Sequence, residues 1–251
     1  MSLTKHFFTS FDGAELAWHE IGAGRPVVLL HGYFSDAQTN WIKYGHAATL
    51  TEAGFRVIMP DLRGHGDSAK PHDVAAYPKD VLADDGFALI RHLGLTDYDL
   101  GGYSLGGRTV ARMLVRGATP RRAIISGMGL TGLTNTKARV AHFANVFAGL
   151  GSHKQGSSAW MAEAFLKTTG GDAVALEHLL YTSVDTSAEA LAALTIPVGV
   201  ICGIDDHDNG SAAALAELLP EGQLITVPGN HMSAVAKPDL GNAIRDFLVA
   251  N

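Results

Sequence analysis

Residues Gly102-Tyr103-Ser104-Leu105-Gly106 place a serine between two glycines, with a short strand-like stretch, Asp97-Tyr98-Asp99-Leu100-Gly101, before it. After it Val110, Met113 and Leu114 recur at helical spacing, and Gly117 supplies a stop. A serine at a sharp strand-to-helix turn is held in a strained backbone, and the flanking glycines keep side chains clear of it. Its hydroxyl is thereby lifted above the carboxyl edge of a sheet, where a histidine and a substrate carbonyl can both reach it. Glycine and serine are common in loops, so the five residues say little alone. The strand before and the helix after give them their meaning, and they demand a parallel α/β sheet around the turn.

The rest of the chain supplies that sheet. The pair 4–11 and 14–21 reads as a hairpin turning at Asp12-Gly13. Pro26-Val27-Val28-Leu29-Leu30 is a continuous apolar run of the kind buried on both faces of a sheet. A helix is expected over about 40–53 with Gly54 as its stop, then a strand over Phe55-Arg56-Val57-Ile58-Met59. Pro78 opens a helix running to Leu93, with Gly94 after it. Further strands are expected at Ala123-Ile124-Ile125, 197–202 and 223–227, and Leu240, Ile244, Phe247 and Leu248 mark a closing helix. Such alternation predicts a mostly parallel sheet with helices on both faces. Residues 130–195 break it. They carry only helical patterns (Val140, Phe143, Phe147, Leu150; Trp160, Met161, Ala164, Phe165; Leu176, Leu179, Leu180). The chain therefore divides into a core, 1–129 and 196–251, and a helical cap, 130–195, packed over the strand ends.

Composition narrows the function classes. A chain of 251 residues, 47% hydrophobic and 18% charged, can bury a sizeable core. The net charge of −6, with both signs interspersed, argues against nucleic acid or an anionic membrane as partner. The one cysteine, Cys202, lies in the apolar run Val198 to Cys202 and reads as a packing residue, so no disulfide framework is expected within the chain. Met1 to Ser10 has no apolar core of signal-peptide length and no run approaches a membrane span, so a cytoplasmic location is expected.

A serine hydroxyl needs a base within hydrogen-bond reach, and the base needs a third group to orient it. On sheets of this kind the partners follow in the order acid, then histidine. Of the histidines after Ser104, His142, His153 and His178 fall in the helical insertion; His231 follows the last expected strand through Val227-Pro228-Gly229-Asn230, at the edge where active groups collect. The acid is expected after the penultimate strand, in Gly203-Ile204-Asp205-Asp206-His207-Asp208-Asn209-Gly210. That cluster resembles a calcium loop in outline, but it lacks the glutamate and the flanking helices such a loop needs, so no metal is expected. An anionic intermediate requires backbone donors. The amides of Leu105 and Tyr33, the latter in the loop His31-Gly32-Tyr33-Phe34, are in position, with Gly32 expected to provide the sharp turn.

Together with Asp61-Leu62-Arg63-Gly64-His65-Gly66-Asp67-Ser68 and Gly229-Asn230-His231, these motifs resemble the α/β-hydrolase-fold superfamily, in the branch of bacterial esterases, enol-lactonases and cofactor-free haloperoxidases. The resemblance spans almost the whole chain. It implies an α/β-hydrolase fold with a helical cap, an architectural role for His65, and the acid three residues after Gly203, at Asp206, rather than Asp205 or Asp208. This chain departs from the family in Asp208-Asn209-Gly210, where many relatives carry proline, and in Asn230, where many carry glycine. Relatives that act on halides and epoxides carry an aspartate nucleophile; Ser104 argues against both chemistries.

The expected function is a serine hydrolase of a small, largely apolar acyl substrate, with catalytic Ser104, Asp206 and His231, oxyanion donors Tyr33 and Leu105, and no cofactor. Phe34, Phe143, Phe147 and Trp160 are expected to line the substrate pocket, and no basic patch is expected to face it. A thioesterase, lactonase or C–C bond hydrolase would share the same triad, and a ligand receptor would share the scaffold. Turnover of a small activated ester separates enzyme from receptor.

Overall fold

The computed structural model describes residues 2–250; Met1 and Asn251 lie outside them. Eight strands form one sheet: β1 (Thr4–Thr9), β2 (Glu15–Gly22), β3 (Arg25–Leu30), β4 (Phe55–Pro60), β5 (Asp99–Tyr103), β6 (Ala123–Ser126), β7 (Val198–Gly203) and β8 (Gly222–Val227). Their order is β1-β2-β4-β3-β5-β6-β7-β8, with β1 and β2 antiparallel and the rest parallel. β5 lies between β3 and β6, so the serine turn emerges from the middle of the sheet.

Two apolar layers cover the sheet, because successive strand residues face opposite sides. Val28, Leu30, Leu100, Ile125 and Val200 pack beneath helices α2 (Val81–His92), α3 (Leu105–Val115) and α9 (Ala212–Leu218). Val27, Leu29, Val57, Ile124 and Ile201 face α1 (His46–Glu52) and α11 (Pro238–Val249), and the short α10 (His231–Ala234) borders the same layer. Between β6 and β7 the chain inserts five helices: α4 (Leu130–Thr134), α5 (Lys137–Ala148), α6 (Ser158–Thr168), α7 (Ala173–Leu180) and α8 (Ala188–Ala192).

Two expected helices differ in the structure. The 40–53 stretch is divided: a single π-type turn spans Gln38–Ile42 and α1 starts only at His46, after Gly45 at φ 83°. The helix expected from Pro78 starts at Val81, because Asp80 adopts a left-handed φ of 64°. That strained residue is held from outside: Arg112 donates to both carboxylate oxygens of Asp80 through Nε and Nη2, and Arg116 adds a further contact. Strand β5 also starts two residues later than expected and continues to Tyr103, directly into the serine turn.

Candidate active site

Ser104 stands at φ 54°, ψ −111°, the strained junction between β5 and α3. The glycines around it are required by packing. A Cβ on Gly106 would fall inside the Leu30 carbonyl at the end of β3, and one on Gly102 inside the backbone of Gly106. Helix α3 thus starts in direct contact with the ends of the central strands, which fixes the Ser104 hydroxyl above the sheet edge.

His231 Nε2 lies 3.0 Å from Ser104 Oγ, and His231 Nδ1 lies 2.8 Å from Asp206 Oδ2. Each partner is anchored separately. Asn230 caps α10 by accepting from the amides of Met232 and Ser233, which puts His231 at the first helical position. The departure from glycine at residue 230 therefore supplies a cap. The Tyr103 hydroxyl donates to the His231 carbonyl at 2.6 Å, tying the residue before the serine to the histidine. Asp206 accepts the Asp208 amide on its other oxygen, Oδ1. Burial pushes the Asp206 carboxyl up, but the hydrogen bond and charge of His231, with the Asp208 amide, outweigh it and hold the group below the ordinary carboxylate range. Asp205 is exposed, and Asp208 is turned outward to Arg139 at 3.5 Å. Of the three aspartates in this loop, Asp206 is the one within hydrogen-bond reach of the imidazole.

The loop after β3 approaches from the other side. A Cβ on Gly32 would stand 3.6 Å from that of Ser104, and the Gly32 amide donates to Asn40 Oδ1 at 3.0 Å. The turn itself differs from expectation: the left-handed residue is Phe34 at φ 60°, while Gly32 is outside that region. Two bonds from the helical insertion hold this loop. Tyr33 Oη donates to the Leu176 carbonyl at 2.5 Å, and Thr169 Oγ1 donates to the Phe34 carbonyl at 2.7 Å. Among the described residues neither the Tyr33 nor the Leu105 amide has a protein acceptor, so both donors are free.

Beneath the loop, His31 is buried and neutral: Nδ1–H donates to the Gly32 carbonyl and Nε2 accepts the Leu62 amide. Asp61 accepts the amides of Ala37 and Asp67, and although burial opposes it, these bonds with His19 and the nearby His31 drive its carboxyl far below the ordinary range. Arg63 is fully buried and binds Asp12 and Asp85 with paired donors. Burial and the neighbouring His31 push His65 down to about 3, which makes it a neutral packing residue. These residues fix the Tyr33 loop against the strand ends. Cys202 is likewise inert; burial pushes its thiol up to about 12.

A narrow cleft opens on Ser104, lined by Tyr33, Leu105 and Arg108 from the core and by Arg139, Phe143 and Leu179 among others from the insertion. A roomier opening of about 380 Å³ lies at the opposite edge of the sheet, between Arg25, Phe55, Arg122 and the end of α11, remote from the serine turn. Of the four expected pocket residues, Phe143 lines the cleft. Phe34 and Phe147 meet edge to face behind it, their ring centroids 5.6 Å apart, and act as its backing rather than its wall. Trp160 is a correction. It is 37% exposed, because α6 packs through Ala159, Glu163 and Leu166 and so turns the adjacent position to solvent. A second correction concerns charge: Arg108 and Arg139 put two guanidinium groups in a cleft that no basic patch was expected to face. Arg108 had a readable signal, since it lies one helical turn beyond Ser104 on α3. Arg139 likewise lies one turn before Phe143 on α5.

Comparison with known proteins agrees with this architecture. A family model described as the alpha/beta hydrolase fold matches residues 25–129, the stretch holding Tyr33, Ser104 and Leu105. A non-heme haloperoxidase of Rhodococcus erythropolis is 37% identical over 128 residues, which is 48% of this chain and 43% of the relative. The match therefore spans less than half the length of that curated relative. Among solved structures, a bromoperoxidase from Bacillus anthracis superposes with a TM-score of 0.77 at 22% identity, over 98% of this chain and 100% of its own. An esterase from Exiguobacterium antarcticum does so with a TM-score of 0.79 at 21% identity, over 97% and 99%. At such identity these two likenesses show the fold alone. No helix among the described residues is long and apolar enough to cross a membrane. The strand order, the serine turn and these matches together show that the chain has the α/β-hydrolase fold.

Proposed function

We propose that this protein is a serine hydrolase that cleaves a carboxylic ester or related acyl bond. The observation that carries the reading is the unbroken relay Asp206–His231–Ser104, with contacts of 2.8 and 3.0 Å, opening on a cleft beside two free amides. With the imidazole proton held on Nδ1 by Asp206, Nε2 accepts the proton of the Ser104 hydroxyl as its oxygen attacks the acyl carbon. The Tyr33 and Leu105 amides receive the negative charge that develops on the carbonyl oxygen. His231 then returns the proton to the leaving alcohol, and a water activated by the same nitrogen attacks the acyl-enzyme carbonyl and releases the acid. An esterase among the fold neighbours supports this chemistry, and a serine, not an aspartate, at the turn sets it apart from attack on epoxides. The insertion 130–195 serves as the cap that shapes the pocket, since α5 and α7 supply much of the cleft wall.

The test is a fluorophosphonate probe combined with turnover of 4-nitrophenyl acetate and butyrate. Ser104 should be the labelled residue, and Ser104→Ala should remove both labelling and turnover while the circular dichroism spectrum stays unchanged. Labelling at another serine, or turnover that survives Ser104→Ala, overturns the mechanism.

A further inference from the structure

Arg108 is 8% exposed, yet among the described residues no carboxylate lies within ion-pair distance of its guanidinium. Its recorded side-chain bond is a single one, from Nε to the Gly132 carbonyl at 3.2 Å, although a guanidinium carries five N–H groups. The other large buried arginine, Arg63, shows what such a group ordinarily requires, with two carboxylates and a carbonyl around it. A charge taken out of water without a partner is costly, and a neutral side chain would satisfy Gly132 at lower cost. Arg108 from α3 and Arg139 from α5 both line the cleft that holds Ser104. Arg139 lies over the Phe143 ring at 4.8 Å and makes one long polar contact, 3.5 Å to Asp208, which is itself half exposed.

We infer that Arg108 and Arg139 form an anion subsite in which the two guanidinium groups clamp a carboxylate carried by the substrate, beside the acyl group presented to Ser104. The class of substrate is then a half-ester or other acyl compound with a second, free carboxylate. This rests on the reading of Ser104 as the acylated nucleophile. Guanidinium groups suit the task because each presents paired, parallel N–H donors to a carboxylate, and bonds to a charged acceptor are stronger than neutral ones. Burial, with the neighbouring charge of Arg139, pushes Arg108 down to about 10, so it is still cationic at neutral pH. Arg108 lies one turn of α3 beyond Ser104 and lines the same cleft, an arrangement that suits a compact substrate.

Two matched pairs test it: mono-4-nitrophenyl glutarate against its methyl ester, with the charge on the acyl side, and 4-acetoxybenzoate against its methyl ester, with the charge on the alcohol side. The wild-type protein should favour the acid in one pair by about 10–100-fold in kcat/KM, and the preference should weaken as salt rises. Arg108→Met and Arg139→Met should each collapse the acid-to-ester ratio toward unity, with the loss in KM rather than kcat; Arg108→Lys should keep part of it. Because Arg108 also holds Gly132, Arg139→Met is an independent arm if the first variant folds poorly. Turnover of the neutral esters with no preference for either acid overturns the subsite and leaves the serine chemistry standing. If no ester is turned over and no phosphonate labels Ser104, the hydrolase reading fails instead. Calorimetric titration with glutarate then reads the subsite directly: binding lost in Arg139→Met supports it, and no binding to the wild type overturns it. Preference for inorganic phosphate over glutarate in the same titration overturns the carboxylate assignment.

Discussion

Replacing Asp206 by asparagine isolates the role of one oxygen pair. In the wild-type structure Oδ2 faces His231 Nδ1 at 2.8 Å and Oδ1 accepts the Asp208 amide at 3.2 Å. A carboxamide cannot satisfy both donors. With its oxygen toward the Asp208 amide, its NH2 faces the imidazole, which must then carry its proton on Nε2 and point it at Ser104 Oγ. In that tautomer the histidine cannot accept the serine proton. With the amide turned round, the tautomer is preserved but a buried N–H loses its acceptor, at a cost of ~1–3 kcal/mol, and the charge that stabilises the imidazolium is gone. Both orientations lead the same way. The serine-protease precedent for this exchange is a loss of about 10⁴ in kcat, which corresponds to about 5.5 kcal/mol of barrier. Asp206→Asn should therefore lower the turnover of 4-nitrophenyl esters by about four orders of magnitude with an unchanged near-ultraviolet spectrum. Asp205→Asn and Asp208→Asn should each cost less than ~10-fold, since neither carboxylate reaches His231. Activity of Asp206→Asn within ~10-fold of wild type, or an equal loss in Asp208→Asn, would refute the reasoning.

Arg63→Met should strand Asp85, which is 4% exposed and also accepts from Ser10, and lower stability by about 3–5 kcal/mol, or roughly 6–20 °C in Tm for a domain of this size; a shift below 2 °C would mean the cluster contributes little. Acid should destabilise the fold by a separate route: burial lowers His31, and pushes His65 down to about 3, so the unfolded chain takes up more protons as pH falls from about 6.5 toward 3. Stability should fall through that window by on the order of 1.4 kcal/mol per pH unit for each fully titrating group, read as a lower urea midpoint at pH 5 than at pH 7; an unchanged midpoint would contradict neutral burial. Phe143→Ala, at the cleft wall, should reorder acyl-chain preference, whereas Phe147→Ala, packed against Phe34, should cost ~3–5 kcal/mol of stability and depress all esters together. The same effect from both substitutions would show that wall and backing are not distinct.

The sheet was legible because its signals are local. Apolar runs mark β3, β4, β6 and β7, the Asp12-Gly13 turn marks the β1–β2 hairpin, and the serine turn is a five-residue pattern, although the packing that requires Gly106 comes from Leu30 on β3. The errors occur where distant side chains decide the backbone. Asp80 cuts short the helix expected from Pro78 because Arg112, thirty-two residues on, holds its carboxylate. Phe34, rather than Gly32, takes the left-handed turn, with its carbonyl held by Thr169 from the insertion. No window of sequence around either residue contains that partner.

The site divides in the same way. Ser104, His231 and Asp206 are ordered by strand ends, and strand ends are readable; pocket walls are built from helix faces whose phase depends on what they pack against. Trp160 looked like a pocket residue because it is large and apolar, but the buried stripe of α6 runs through Ala159, Glu163 and Leu166 instead. Arg108 shows the converse, since an arginine on a helix next to the serine turn reads from sequence as a solvated face. Its burial follows only once α4 lies across it and Gly132 takes its one bond. A charge left without a counter-charge in a well-packed chain is a local rule broken, and such breaks concentrate where a ligand completes the set of partners. In the hydrolase reading proposed above, the Asp206–His231–Ser104 relay accounts for the bond that is cut, and the unpaired guanidinium, one turn of helix away, bears on which molecule carries that bond.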